Sequence, residues 1–181
     1  SNPGAGKKNN AIASYRAAAR IITDPMATRV NVVADPGIRD NYVTDYVADL
    51  TKQYSKAIYI MELPAYNSDT VRLYDGSSTR PSVDKTIEQF DGRNFDNNYS
   101  ATYFPDIMMT VPNGNVVNLP ASVAAVGALA YNDSVAYPWF APAGFNRGGL
   151  AKVVNTEIRL NTEDRNNLYE SRINPIANFT N

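Results

Sequence analysis

The stretch from Arg29 to Pro64 limits the fold more than any other part of the sequence. The run RVNVVA at 29–34 is rich in β-branched residues and closes on Asp35-Pro36-Gly37, where Pro presets φ and Gly is free to take positive φ. That is a strand followed by a turn. From Asp40 the residues Tyr42, Val43, Tyr46, Val47, Leu50 and Tyr54 fall at i, i+1, i+4, i+5, i+8 and i+12, one stripe of an amphipathic helix. The run KAIYIMEL at 56–63 then stays apolar without alternation until Pro64, which is how a strand covered on both faces reads. Strand, helix and covered strand in that order form a βαβ unit, right-handed, with its strands parallel and neighbours in one sheet. The expected fold is α/β, built on a mainly parallel sheet.

Other segments fit around this unit. Residues 11–22, AIASYRAAARII, read as an Ala-rich helix stopped by Asp24-Pro25. The polar segment 65–81 reads as an irregular connection with room for one helical turn. Val83, Ile87 and Phe90 mark a short helix capped near Ser82 and closed by Asp91-Gly92. Residues 99–111 are strand-like but interrupted by Pro105, which puts a bulge, a kink or a sheet edge there. A Pro112-Asn113-Gly114-Asn115 turn leads through VVNL to a small-residue helix from about Pro120 to Tyr131. Short strands are expected at 152–155 and 157–160, a last helix from Thr162 with acids in its first turn, and an extended path at 172–176. Residues 1–10 read as a flexible leader, 11–178 as a single α/β domain with 64–98 as an irregular insertion, and 179–181 as a cut end.

Composition narrows the chemistry. Lys and Arg number 17 against 18 Asp and Glu, a net charge of −1, so nothing attracts nucleic acid or anionic lipid in general. The absence of Cys removes disulfides, thiolate nucleophiles and Cys-ligated zinc. The absence of His removes the usual general base, the commonest metal ligand and the standard Ser/His/Asp triad. The longest nearly apolar run, 121–131, is shorter than the roughly 20 residues a bilayer requires. The start of the chain has basic residues with no apolar stretch behind them, so it does not read as a signal peptide.

Candidate chemical motifs are weak. Gly4-Ala5-Gly6-Lys7-Lys8 lacks both the earlier Gly and the following Ser or Thr of a phosphate loop. Asp45 and Asp49, one turn apart after Asp40, lie on the wet side of the amphipathic stripe and read as a solvated face. Asp35 ends a strand where α/β proteins place ligand groups, yet Asp before Pro-Gly is also what a turn wants. Twelve dispersed tyrosines read as core and contact residues. No catalytic, metal-binding or cofactor-binding residue is assigned.

One order of features is specific. Tyr103-Phe104-Pro105, the Pro-Asn-Gly turn, Leu119-Pro120-Ala121-Ser122, the helix holding Val126-Gly127-Ala128, Tyr131-Asn132-Asp133, Trp139-Phe140-Ala141-Pro142-Ala143-Gly144, and Leu168-Tyr169 with Ile173-Asn174-Pro175-Ile176 follow one another. This succession resembles the tail sheath proteins of contractile phages, over roughly residues 29–178 and most clearly after 99. The resemblance implies a subtilisin-like three-layer α/β domain with additional short strands near its C-terminal end. It implies a virion subunit, assembled in the host cytoplasm, that polymerises around a tail tube, meets a baseplate, and contracts to drive the tube through the host envelope. It points to Tyr103, Pro105, Pro120, Ser122, Asp133, Trp139, Pro142, Gly144, Arg147, Leu168, Ile173 and Asn174 as motif or assembly positions. Ser122 falls where subtilases start their nucleophile helix, and with no His it reads as a helix N-terminal residue. Sheath proteins carry an N-terminal arm and a C-terminal domain as well, so this chain is expected to be a fragment, monomeric by itself.

The segment YPWFAPAGFNRGGL at 137–150 holds the only tryptophan beside Tyr137, Phe140, Phe145 and two prolines, a preorganised anchor for either the core or a neighbouring copy. Two other function classes compete with the structural one. A carboxylate-dependent hydrolase would use Asp35 or the Asp45/Asp49 pair, and a glycan- or peptide-binding module would use the Tyr and Trp surface. A secretion-system or bacteriocin sheath would share the physics of a phage sheath.

Overall fold

The computed structural model describes residues 9–137, 139–143, 147–150 and 153–179. Helix α1 (Asn10–Ile22) starts where the Asn9 side chain accepts a hydrogen bond from the Ala11 amide, and ends at Thr23. Strand β1 (Val32–Ala34), helix α2 (Asn41–Tyr54) and strand β2 (Ile58–Met61) form the expected unit, with β1 and β2 parallel and Val33 opposite Tyr59. β1 is shorter than its β-branched run because the Val30 amide donates to the Tyr54 hydroxyl, 3.2 Å away. The Asp40 carboxylate caps α2 by accepting from Tyr42 N, and Ser55 at φ 55° ends it in the left-handed region.

Tyr59, Ile60 and Met61 are each no more than 1% exposed, so both faces of β2 are covered and its sequence has no alternation. Tyr59 and Met61 share an apolar cluster with Val43, Val47, Ala48 and Tyr54 of α2. Ile60 and Glu62 face the other way by the two-residue period of a strand.

Residues 65–81 depart from the sequence reading. Strands β3 (Ala65–Tyr66) and β4 (Arg72–Leu73) pair antiparallel across a turn organised by Asn67, whose side chain accepts from the amides of Asp69 and Val71. Helix α3 (Val83–Asp91) lies where the spacing predicts, with the Ser82 hydroxyl accepting from Lys85 N.

Pro105 marks a change of sheet. Strand β5 (Ser100–Phe104) runs parallel to β2, and after a cis Phe104–Pro105 peptide strand β6 (Ile107–Thr110) enters a second, antiparallel sheet with β7 (Val116–Leu119) on one side and β8 (Val153–Thr156) on the other. Helix α4 (Ala121–Val135) extends four residues past the expected end, and Asn132 near its end donates to the Phe140 carbonyl.

The strand expected at 157–160 does not form. The Thr156 hydroxyl donates to Ile158 O and the Glu157 amide to Asp106 O, which turns the chain out of the sheet. Helix α5 (Thr162–Glu170) opens with a reciprocal capping box between Asn161 and Asp164. Strand β9 (Asn174–Pro175) pairs parallel with β5. The main sheet therefore has the order β1-β2-β5-β9, and every pairing in it is parallel. Among the described residues no helix is long and apolar enough to cross a membrane.

Candidate functional site

The C-terminal ends of β1 and β2 meet the start of α4 at a buried polar knot. An α/β sheet gathers its strand ends and helix starts on this side, so polar groups there face each other across short distances. α4 begins at Pro120, which offers no side-chain cap, and its first amides need other acceptors. Two carboxylates supply them: Asp106 Oδ1 accepts from Ala121 N at 3.2 Å and Glu62 Oε1 from Ser122 N at 3.1 Å. Both are negative charges at the positive end of a helix dipole.

Arg39, from the loop between β1 and α2, binds these carboxylates together. Its guanidinium lies 2.7 Å from Asp106 Oδ2, 3.4 Å from Glu62 Oε2 and 3.5 Å from Asp75 Oδ1, and it donates to the Leu63 carbonyl at 2.9 Å. The Arg39 and Glu62 side chains are 11% and 1% exposed, while Asp75 is 70% exposed, so the inner contacts are the energetic ones. Beside them the Tyr59 hydroxyl donates to Asp35 Oδ1 at 2.7 Å.

Burial raises the pKa of Asp35 to about 7 against the opposing Tyr59 hydrogen bond, with Glu62 adding to the rise. Burial also raises Glu62 and Asp106, and Arg39 works against it at both. Glu157 is raised by burial and by Asp106. At Arg39 burial pulls the guanidinium down, but Asp106, Glu62 and Asp75 together outweigh it and the pKa rises. The arrangement is suited to fixing a helix start on a sheet. Nucleophilic or general-base chemistry needs a reachable group, and Glu62 is sealed.

The sequence-predicted positions are spread over several places. Pro120 and Ser122 stand at the knot, and buried Pro105 immediately precedes Asp106. Tyr103 and Asn174 are register partners between β5 and β9, with Asn174 Nδ2 donating to Thr102 O. Leu168 and Ile173 are core residues, 0% and 1% exposed, and Ile173 N donates to Leu168 O. Asp133 is exposed on α4.

Trp139 does not pack into the core. It is 75% exposed and stacks on Tyr137 with ring centroids 4.8 Å apart, while Phe140 meets both rings edge-on. The Arg147 guanidinium sits 5.2 Å from the Phe140 ring. Pro142 borders an adjoining groove of about 650 Å³ that Ala128, Leu150 and Ile176 also line. Gly144 lies outside the described residues. Asp45 is exposed and paired with Arg93, in keeping with a solvated face of α2.

Comparison with known proteins gives a consistent result. The chain is 39% identical over 61 residues to the tail sheath protein of Vibrio phage KVP40 and 30% identical over 96 residues to the tail sheath protein of Enterobacteria phage T4. It resembles phage tail sheath proteins. The matched stretches cover 34% and 53% of this chain and only 9% and 13% of those two sheath proteins, so the sheath resemblance concerns a small part of each. No protein-family model matches the chain.

Sequence reasoning missed the knot. Arg39, Glu62 and Asp106 are far apart in the chain, and no short motif links them. One signal was present: Glu62 sits inside a run that reads as covered on both faces, and a buried carboxylate requires a partner.

Proposed function

We propose that the chain is a domain of a structural subunit of a contractile phage tail sheath. The observation that carries this reading is its similarity to tail sheath proteins of two phages. In this reading residues 11–178 form one three-layer, subtilisin-like α/β domain, with α2 against one face of the parallel sheet and α4 against the other. Copies polymerise around a tail tube above a baseplate, and better contacts between copies in the contracted array supply the free energy that drives the tube through the host envelope.

Two features support a structural role over catalysis. The sequence contains no His, and the buried carboxylates of the knot are spent on Arg39 and on the first amides of α4. Such a knot ties the start of α4 to the end of the sheet, in keeping with a subunit that moves as a body. The exposed Tyr137, Trp139 and Phe140 form the candidate contact with a neighbouring copy or the tube, each aromatic side chain able to bury on the order of 150–250 Å².

Immunogold electron microscopy tests the proposal, with antibody raised against this chain and applied to phage particles that carry it. Gold along the length of the tail is expected. Label confined to the capsid or to unassembled protein would refute it.

A further inference from the structure

The knot holds more acid than base. Glu62, Asp75, Asp106 and Glu157 bear on Arg39, whose ion pairs go to Glu62, Asp75 and Asp106, and Asp35 bears on Glu62 from the end of β1. Asp35 is left outside that set. Its Oδ1 accepts from the Tyr59 hydroxyl, while its Oδ2 is buried with no hydrogen-bond partner among the described residues. A buried carboxyl with no cation against it is cheaper neutral than charged.

Asp35 is also mechanically coupled to the knot. It begins the loop that ends in Arg39 and Asp40, the cap of α2, and its carbonyl accepts from Ile38 N within that loop. Gly37, at φ +83°, faces the start of α4: a Cβ placed there would lie 3.9 Å from Pro120 Cγ and from Asp75 Oδ2. The charge state at the root of the loop therefore bears on Arg39 at its tip and on Pro120 against its middle.

We propose that the Asp35–Tyr59 pair is a proton-operated latch on the α4 junction: a neutral Asp35 leaves the β1–α2 loop and Arg39 in place, and its ionisation, which puts charge on the buried, unpartnered Oδ2, loosens that loop together with the first turn of α4. The latch is a property of this chain whatever the assembly it joins.

Charged and titratable groups face the pair from several elements. Tyr59 on β2 and Glu62 just after it face Asp35, and Arg93, paired with Asp45, bears on Tyr59 from beyond α3. Glu62 is faced by Arg39, Ser122 and Asp106, and Glu157 by Asp106, Arg39, Asn118 and Asp75, with Arg80 and Arg159 lining a groove at Glu157. The sign follows from linkage. Asp35 is raised from 3.8 to about 7 on folding, so the folded chain holds this proton more tightly, and the stabilisation present at low pH is lost as pH rises through about 7. The raised pKa values of Glu62, Asp106 and Glu157 act in the same direction.

The test is urea unfolding of the chain at pH 5, 6, 7 and 8, with amide hydrogen exchange at pH 5 and 8 expressed as protection factors. For the unaltered chain, the unfolding equilibrium constant should rise by about tenfold to a hundredfold between pH 5 and 8. Protection at Ser122 to Ala125 should fall more than at the amides of α3. Asp35→Asn should flatten the rise and keep α4 protected at pH 8. Tyr59→Phe, which removes the donor and leaves Asp35 bare, should move the rise to higher pH. Should Asp35→Asn fail to fold, Tyr59→Phe and the exchange data decide. A rise unchanged by either substitution, or α4 protection that falls only in step with α3, overturns the latch.

Discussion

Replacing Arg39 by Met is the most informative perturbation of the fold. Met matches the length of the aliphatic stem, so the substitution removes the charge and the donors while leaving most of the packing. It strands Glu62, 1% exposed, and Asp106, 16% exposed, as buried acids without their cation, and leaves the Leu63 carbonyl without its donor. Breaking a buried pair by removing one partner costs about 3–5 kcal/mol, and the exposed Asp75 adds almost nothing. Part of that cost is avoidable when Glu62 and Asp106 can take protons. The loss should therefore be about 3–5 kcal/mol at pH 8 and smaller at pH 5. Urea denaturation followed by far-UV circular dichroism measures it; Trp139 fluorescence is a poor reporter because that ring is already 75% exposed. A loss below about 1 kcal/mol at pH 8, or one that is the same at both pH values, would refute the reasoning.

Three further outcomes follow from the packing. Leu168→Ala empties a site that is 0% exposed and should cost about 2–5 kcal/mol in the same assay. Ser82→Ala removes the hydroxyl that accepts from Lys85 N and should cost about 1 kcal/mol, with the loss of protection confined to the first turn of α3 in hydrogen exchange. Trp139→Ala should change stability by less than about 0.5 kcal/mol, because the ring is 75% exposed, yet it should reduce incorporation into tails when supplied in competition with the unaltered subunit.

Local signals carried the elements they governed. Helix α3 lies between the Ser82 cap and Gly92 as its apolar spacing requires, and the stripe from Tyr42 to Tyr54 became a helix over a parallel strand pair. The Pro105 interruption proved to be a passage from one sheet to another, which a proline alone does not distinguish from a bulge. The β3–β4 hairpin escaped notice because its pairing depends on the Asn67 side chain and not on an apolar pattern. The residues of the site were hardest to see. Arg39 and Asp106 meet across 67 positions of sequence, and only the fold brings them to 2.7 Å. Tyr42 and Tyr46 sit on the apolar stripe but also bracket the Arg16 guanidinium, 4.1 and 3.6 Å from their ring centroids, a contact that periodicity does not reveal.

Cryo-electron microscopy of one phage tail in its extended and contracted states tests the central claim most directly. The account predicts that this chain occupies the sheath in both states, with the Arg39–Asp106 contact and the β1-β2-β5-β9 sheet superposing unchanged while contacts between copies are exchanged. Sheath density that does not accommodate the chain, or a knot that comes apart between the two states, would contradict it.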